Sequence, residues 1–308
     1  MKRGLALGCG GTLGAAWTVG VLAALVEKDG WDPRDADAII GTSAGAEYGA
    51  MLAAGIGVDE MVAAHAGSDD APGWLREHLA AAPRARPPLP RPVPIAPRLL
   101  LRRDLPRLTR LSGAMPTGRD SHARMLSLGE RLAGGSRWID ERPFLAVAVA
   151  LGNGNRVAFG AEGAPATDLG RALAASWAVP GCYPPVRIGG RRFIDGGAAS
   201  TASVDILAEH HSDLDEIVVI APMASSPVPR PRNRAMALEA RIRRQMSAGL
   251  DEECARAEAL GMTVRRFEMS AASLRAAGPN FNDARRRRRV FEHSLAEHRH
   301  GAASVGTA

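Results

Sequence analysis

The motif GTSAG places Ser43 between two glycines, directly after the short apolar run of residues 38–40. A strand that ends in G-x-S-x-G and turns at once into a helix is typical of a nucleophile elbow, in which a strained turn exposes the serine hydroxyl. The N-terminus of the following helix favours developing negative charge. The motif therefore predicts Ser43 as a nucleophile; a strand-to-helix turn without chemistry is the alternative for an isolated match.

A second glycine-rich stretch, GCGGTLG, begins at Gly8 and follows the first predicted strand. Because a β-helix-β crossover is right-handed and makes its strands parallel, this loop and the turn at Ser43 emerge at the same edge of the sheet. The backbone N–H groups of Gly10 and Gly11 can then point into a cavity, as an oxyanion hole requires. A dinucleotide site is the weaker alternative, because the glycine spacing misses G-x-G-x-x-G by one residue and no ribose-binding acid ends the second strand.

A nucleophilic serine needs a general base, and histidine is the usual one. The eight histidines mostly lie on polar, helix-like stretches without a strand-end setting. The stretch VRIGGRRFIDGGAAS instead predicts a hairpin that turns at Gly189-Gly190 and delivers Asp195 to the end of a strand. A carboxylate there can accept the serine proton directly if partial burial raises its pKa. An isolated Asp-Gly-Gly is more often only a turn, so the prediction for Asp195 depends on the other two motifs.

Strands and helices alternate around these motifs, which predicts an α/β fold with a mainly parallel sheet covered by helices. The density of proline in residues 82–106 excludes a continuous helix or a central strand there. We interpret residues 82–118 as a Pro/Arg-rich lid or insertion. The predicted strands cover residues 3–8, 36–40, 144–151, 156–160 and 216–222, and the predicted helices cover residues 14–28, 44–54, 121–132 and a segment from residue 168.

The C-terminal part, residues 236–300, is predicted to be mainly helical. Ile242, Met246, Leu250 and Cys254 recur four residues apart and indicate a stripe that faces the core. A further helix is predicted to reach about residue 298.

Composition limits the class of protein. With 308 residues, of which 46% are hydrophobic, the chain can bury the core of one α/β domain over residues 1–308. The formal charge is +6, and arginine favours phosphate-bearing partners, although a general compositional bias explains the arginines equally well. Three widely spaced cysteines argue against a disulfide framework and favour a reducing compartment, so we expect a cytoplasmic protein. No apolar stretch of about 18 residues is present to span a membrane.

Three stretches together resemble the patatin-like phospholipases over residues 4–207: LALGCGGTLGAAWTVGVLAAL, IIGTSAGA and LAASWAVPGCYPPVRIGGRRFIDGGAAS. The resemblance implies a three-layer α/β fold with helices on both faces of the sheet, and a catalytic dyad without histidine. It places the nucleophile at Ser43, the base at Asp195 and the oxyanion donors at Gly10, Gly11 and Thr12. It implies no metal and no organic cofactor.

Two residues depart from the family pattern. The family's glycine loop usually has glycine where this chain has Cys9, and lysine or arginine where this chain has Leu13. Backbone N–H donors survive both changes, so the oxyanion hole can still form. The missing basic residue bears on the substrate class more than on the type of reaction.

From these residues we expect a lipid acyl hydrolase, either a phospholipase, a lysophospholipase or a carboxylesterase. The alternative is a nucleotide- or lipid-binding module that keeps the fold without turnover. Residues 99–111, LLLRRDLPRLTRL, interleave leucine with arginine, which suits peripheral contact with an anionic membrane. A lid that packs on the domain through its leucines is the equal alternative for this segment. We expect a lipid or ester substrate and no nucleic-acid partner.

Overall fold

The computed structural model describes residues 1–83, 88–226 and 234–300. Its strands are β1 (Arg3–Leu7), β2 (Ala38–Thr42), β3 (Arg91–Pro94), β4 (Pro116–Thr117), β5 (Phe144–Ala150), β6 (Arg156–Phe159), β7 (Val186–Ile188), β8 (Arg191–Asp195), β9 (Glu216–Ala221) and β10 (Thr263–Glu268). Its α-helices are α1 (Gly11–Asp29), α2 (Ala44–Ala53), α3 (Val58–Ala66), α4 (Gly73–Ala80), α5 (Arg107–Ser112), α6 (Ala123–Leu132), α7 (Leu169–Ser176), α8 (Val204–His210), α9 (Arg234–Ala259), α10 (Ala271–Ala277) and α11 (Arg287–His300).

The central sheet is mainly parallel. Strands β10, β9, β1, β2 and β5 lie side by side in this order and run in one direction. Strands β6 and β8 are antiparallel to β5, and β7 pairs with β8. The predicted α/β fold with a mainly parallel sheet is confirmed.

Both faces of the sheet are covered by helices. Along β1, Leu5 and Leu7 pack into one apolar cluster together with residues of α1, α2 and α11. Ala6, which points to the opposite face, packs into a second cluster with residues of α8 and α9. This alternation within one strand produces the three layers that the resemblance implied.

Strand β5 provides the geometry on which the functional site depends. Thr42 at the end of β2 pairs with Val147, and Asp195 at the end of β8 pairs with Ala148, the next residue of β5. Both β2 and β8 must use the same edge of β5, because β6 pairs with the overlapping residues 146–149 from the other edge. The two strands run in opposite directions, so their C-terminal ends meet.

The Pro/Arg-rich segment forms neither a long helix nor a central strand, as predicted from its proline content. Residues 84–87 of this segment lie outside the described residues. The rest forms a two-stranded sheet of β3 and β4, a 3-10 helix at Pro97–Leu101 and the short helix α5. Thr109 of α5 is fully buried, and its hydroxyl donates to the carbonyl oxygen of Ala198 at 2.9 Å. The segment is therefore anchored to the turn that follows Asp195.

The C-terminal part is helical and also completes the sheet. The predicted stripe on α9 holds for Leu250 and Cys254, which are buried. Towards the N-terminal end of the helix the buried face shifts to Arg243, which is completely buried, and Ile242 is only partly buried. Strand β10 extends the parallel sheet beyond β9 and was not predicted, because Arg265 and Arg266 in its centre mask the pattern of a buried strand. No described helix combines the length and apolarity that crossing a bilayer requires.

Candidate active site

Ser43 occupies the strained turn between β2 and α2. Its backbone has φ 56° and ψ −118°, a conformation that is rare for a residue with a side chain. The two flanking glycines are sterically required. A Cβ on Gly41 would lie 2.4 Å from the Cα of Ala46, and a Cβ on Gly45 would lie 1.9 Å from the carbonyl oxygen of Leu7.

The turn at Ser43 is held by a side chain that sequence reasoning missed. The backbone N–H of Ser43 donates to the hydroxyl oxygen of Ser176 at 2.8 Å. The Ser176 hydroxyl in turn donates to the carbonyl oxygen of Val147 at 2.7 Å. Ser176 is completely buried at the end of α7, so it links the serine turn to β5. Its only signal in the sequence is a polar residue that ends a run of small apolar ones.

Asp195 lies beside Ser43, as the end-to-end arrangement of β2 and β8 requires. Its side chain is 4% exposed, lies close enough to the Ser43 side chain for that group to lower its pKa, and accepts the backbone N–H of Gly197 at 2.7 Å. Burial raises the pKa of Asp195 to about 7, and the interactions with Ser43 and Gly197 oppose part of this rise. The carboxyl group is therefore poised to exchange a proton near neutral pH.

The glycine loop leaves two backbone donors unused. Among the described residues, no acceptor is found for the N–H groups of Gly10 and Gly11. Gly11 has φ +57°, a left-handed conformation that favours glycine. The N–H of Thr12 instead donates to Oδ1 of Asn282 at 3.4 Å, so this third predicted donor is already engaged.

The glycine loop, the serine turn and the Asp195 turn converge at the edge of the sheet. Gly45 abuts the end of β1, where a Cβ on it would lie 2.8 Å from the carbonyl oxygen of Gly8. A Cβ on Gly197 would lie 3.0 Å from the sulfur of Cys9 and 3.0 Å from Oδ1 of Asp195. Close packing of backbone thus brings the three predicted motifs together.

The two residues that depart from the family pattern are both buried. Cys9 is 6% exposed and lies 3.6 Å from the Thr201 hydroxyl, and burial raises the pKa of its thiol to about 12. The thiol is therefore protonated at neutral pH and fills space beside Gly197. Leu13 is completely buried in the core on the α1 face of the sheet, where its side chain packs among apolar neighbours.

A cavity of about 640 Å³ opens beside the Asp195 turn. Its lining includes Gly197 and Thr201 together with Leu105 and Leu108 of the Pro/Arg-rich segment. Ser43 does not line this cavity. The lining of the cavity therefore combines apolar side chains with charged ones, among them Arg156 and Arg256.

The charged wall is a network of ion pairs. Arg156 forms two hydrogen bonds to Asp205, at 2.8 and 2.6 Å, and a third to Glu253 at 3.0 Å. Arg256, which also lines the cavity, donates to Asp205 at 2.7 Å. Because these charges are paired, they present hydrogen-bonding groups to the cavity with little uncompensated charge.

None of the histidine side chains that the structure describes takes part in this arrangement. Of the seven histidines whose side chains the structure describes, none is hydrogen-bonded to Ser43 or Asp195. His65 bonds to Tyr48 and His78 to Glu47, each at 2.7 Å. In the described part of the chain, no group of three or more His, Cys, Asp or Glu side chains is placed to hold a metal ion.

The family model of the patatin-like phospholipases matches residues 5–208, so the chain belongs to this family. Membership supports a lipid hydrolase. Residues 209–300, with α9, β10, α10 and α11, continue the described fold beyond the matched part.

Two solved structures are similar to the chain. One is VipD from Legionella pneumophila, with 14% identity and a TM-score of 0.41 over 95% of this chain and 67% of that chain. The other is the type III effector protein ExoU, with 17% identity and a TM-score of 0.33 over 97% of this chain. The alignment spans 54% of ExoU. No curated protein matches the sequence.

The pKa of Asp195 predicts a pH-dependent stability. In the unfolded chain Asp195 releases its proton near pH 3.8, whereas the folded protein holds it to about pH 7. Stability is therefore lost as pH rises between these values, by at most about 4 kcal/mol at ~1.4 kcal/mol per pH unit. Asp195→Asn should lack this loss. The free energy of unfolding of the wild type, relative to Asp195→Asn, should fall between pH 4 and 7 and level off above pH 7, as measured by urea denaturation.

Asp213→Asn is the matched control for this prediction. Asp213 is exposed, and its hydrogen bond from Lys2 lowers its pKa, so its contribution to stability is lost as pH falls below about pH 5. Its stability difference from the wild type should be flat between about pH 5 and pH 7. If the Asp195→Asn difference is equally flat, Asp195 is ionised over this range and the assignment of its pKa is wrong.

Proposed function

We propose that the protein hydrolyses lipid acyl esters through a Ser43–Asp195 dyad. The observation that carries the proposal is the buried carboxyl group of Asp195, which lies beside Ser43 at the meeting ends of β2 and β8 and has its pKa raised to about 7. A base whose pKa lies near the ambient pH can both take and return a proton. The strained serine turn and the two unused N–H groups of the glycine loop support the same reaction.

In the proposed reaction, the Ser43 oxygen attacks the ester carbonyl carbon while its proton passes to the Asp195 carboxylate. The negative oxygen of the tetrahedral intermediate accepts hydrogen bonds from the N–H groups of Gly10 and Gly11. The carbon–oxygen bond to the alcohol then breaks, and the alcohol takes the proton from Asp195. Water attacks the acyl-enzyme and gives a proton to Asp195. As the bond between the acyl carbon and the Ser43 oxygen breaks, that oxygen takes the proton from Asp195 and the fatty acid leaves.

The cavity beside Gly197 supports an amphipathic substrate. It combines the apolar side chains of Leu105 and Leu108 with the paired charges of Arg156 and Arg256. An ester that joins an apolar chain to a polar alcohol would match both kinds of wall. A nucleotide- or lipid-binding module without turnover remains the alternative outcome of the tests below.

The dyad predicts how variants lose activity. Ser43→Ala and Asp195→Asn should each stay folded and lose about 10²- to 10⁴-fold in kcat against a soluble ester, because asparagine accepts a proton far less readily than a carboxylate. The double variant should lose hardly more than either single variant, since the two residues act as one unit. Steady-state hydrolysis and circular dichroism of the same samples provide the measurement.

Asp213→Asn at an exposed position and Ser68→Ala at a half-buried one repeat these substitutions and should keep wild-type kcat. Replacing the histidines one at a time should also preserve most activity. The dyad would be wrong if one histidine variant were folded but inactive while Asp195→Asn stayed active. The protein would then belong to the Ser-His-Asp class of hydrolases. A folded wild type without turnover of any ester would favour the binding module.

We further propose that the Pro/Arg-rich segment contacts an anionic lipid surface. Of the ten exposed large hydrophobic residues that the structure describes, six lie between positions 89 and 115. Leu101 is 81% exposed and Leu111 is 50% exposed, whereas Leu99 is buried and anchors the segment. The same stretch contains six arginines and one acidic residue, Asp104. Anchoring and exposure thus coexist in a segment that packs against the turn after Asp195.

Vesicle co-sedimentation tests this surface. Binding to vesicles with anionic lipid should exceed binding to neutral vesicles and should weaken as salt is added, because each arginine near the surface contributes about 1 kcal/mol. Leu101→Ser with Leu111→Ser should reduce binding several-fold, whereas Leu260→Ser, at a site outside the segment that is about as exposed as Leu111, should not. Equal, salt-insensitive binding to both kinds of vesicle would contradict the electrostatic contribution.

A further inference from the structure

The C-terminal part of the chain reaches the glycine loop. The carbonyl oxygen of Phe281 accepts the N–H of Leu13 at 2.9 Å, and Oδ1 of Asn282 accepts the N–H of Thr12 at 3.4 Å. A Cβ on Gly11 would lie 2.5 Å from the same Oδ1, so the Asn282 side chain sits directly on the loop. Phe281 and Asn282 lie between α10 and α11, beyond the residues that the family model matches.

Helix α1 lacks a cap of its own. Its N-cap residue is Gly10, which has no side chain, and its first turn contains no acidic residue. The first N–H groups of a helix have no partner within the helix and need acceptors from elsewhere. Phe281 and Asn282 supply two such acceptors from a distant part of the sequence, which leaves Gly10 and Gly11 as the donors without acceptors in the described part of the chain.

The buried side chain of Arg243 supports the contact between the glycine loop and residues 281–282. The guanidinium group of Arg243 lies 5.3 Å from the centre of the Phe281 ring. It also donates to the carbonyl oxygens of Pro222 and Ala224, at 2.9 and 3.2 Å. Pro222 packs against Gly10, because a Cβ on Gly10 would lie 2.7 Å from its ring. Arg243 is completely buried, and its contacts hold both Phe281 and Pro222 in place beside the glycine loop.

We propose that Asn282 is a positioning residue for the oxyanion hole. By accepting the Thr12 N–H, Asn282 fixes the start of α1 so that the Gly10 and Gly11 N–H groups point at the ester oxygen. Its amide is neutral, so it completes the cap without placing a negative charge beside the developing oxyanion. This inference rests on the proposed function for the role of the loop, but the contact itself can be tested without turnover.

Three variants separate positioning from simple stabilisation. Asn282→Ala removes the acceptor and should lower kcat about tenfold or more with a smaller change in KM, since loss of an oxyanion donor costs about 10²- to 10³-fold. Asn282→Asp keeps the shape of the side chain and adds a negative charge, which stabilises a helix N-terminus but repels an oxyanion. It should keep or raise Tm while lowering kcat at least as much as Asn282→Ala.

Ser270→Ala is the matched control. Ser270 caps α10 by accepting the N–H of Ser273 at 3.0 Å, so its loss removes a helix cap from the same part of the chain without touching the glycine loop. Tm should fall by a few degrees with kcat unchanged. Should Asn282→Ala behave like Ser270→Ala, or Asn282→Asp retain full kcat, the positioning role would be wrong. The isosteric Asn282→Asp variant keeps the test decisive if Asn282→Ala does not fold.

Hydrogen exchange gives a readout that does not need activity. The hydrogen-bonded backbone N–H groups of residues 12–14 should exchange faster in Asn282→Ala than in the wild type and in Ser270→Ala. Faster exchange in a protein that hydrolyses no ester would overturn the proposed function and leave the contact standing. Unchanged exchange at these residues in an active enzyme would overturn the role of Asn282 instead.

Discussion

The C-terminal ends of β2 and β8 meet along one edge of β5, and this meeting point determines where the proposed chemistry can occur. Thr42 and Asp195 pair with the adjacent residues Val147 and Ala148, so the residue after β2 and the last residue of β8 must be neighbours. The proximity of Ser43 and Asp195 follows from sheet pairing rather than from flexible loops. Strand pairing also holds the two groups in a fixed geometry, which a proton transfer between them requires.

This arrangement has costs that the surrounding structure offsets. Ser43 adopts a strained backbone conformation, and Asp195 loses most of its hydration. Strain of this kind persists only where neighbouring contacts leave no alternative. The hydrogen bond from Ser43 to Ser176 and the close approach of Gly45 to β1 supply these contacts. Burial of Asp195 also raises its proton affinity, so the feature that destabilises the fold is the one on which the proposed function depends.

The sequence predicted those parts of the site that are specified locally. Ser43, Asp195 and the glycine loop each belong to a short motif, because a tight turn between two elements restricts the residues that fit. Ser176 and Asn282 could not be predicted in this way, since their contacts join residues 133 and 270 positions apart in the chain.

In the fold too, elements with a local sequence pattern could be predicted, whereas elements that depend on distant contacts could not. Strands with continuous apolar runs, such as β5 and β9, were located to within a residue or two. Strand β10 and the buried face of α9 were not fully predicted. Arg266 is partly buried through ion pairs and Arg243 is completely buried through carbonyl contacts, which apolar periodicity does not register.

Reaction with a fluorophosphonate probe, followed by mass-spectrometric mapping of the adduct, tests most directly whether Asp195 activates Ser43. We expect the folded wild type to be labelled at Ser43, at a rate that rises with pH to a plateau above about pH 7, the pKa of Asp195. Folded Asp195→Asn should be labelled far more slowly at every pH. Labelling of Asp195→Asn at the wild-type rate, or no labelling of the folded wild type at Ser43, would contradict the activation of Ser43 by Asp195.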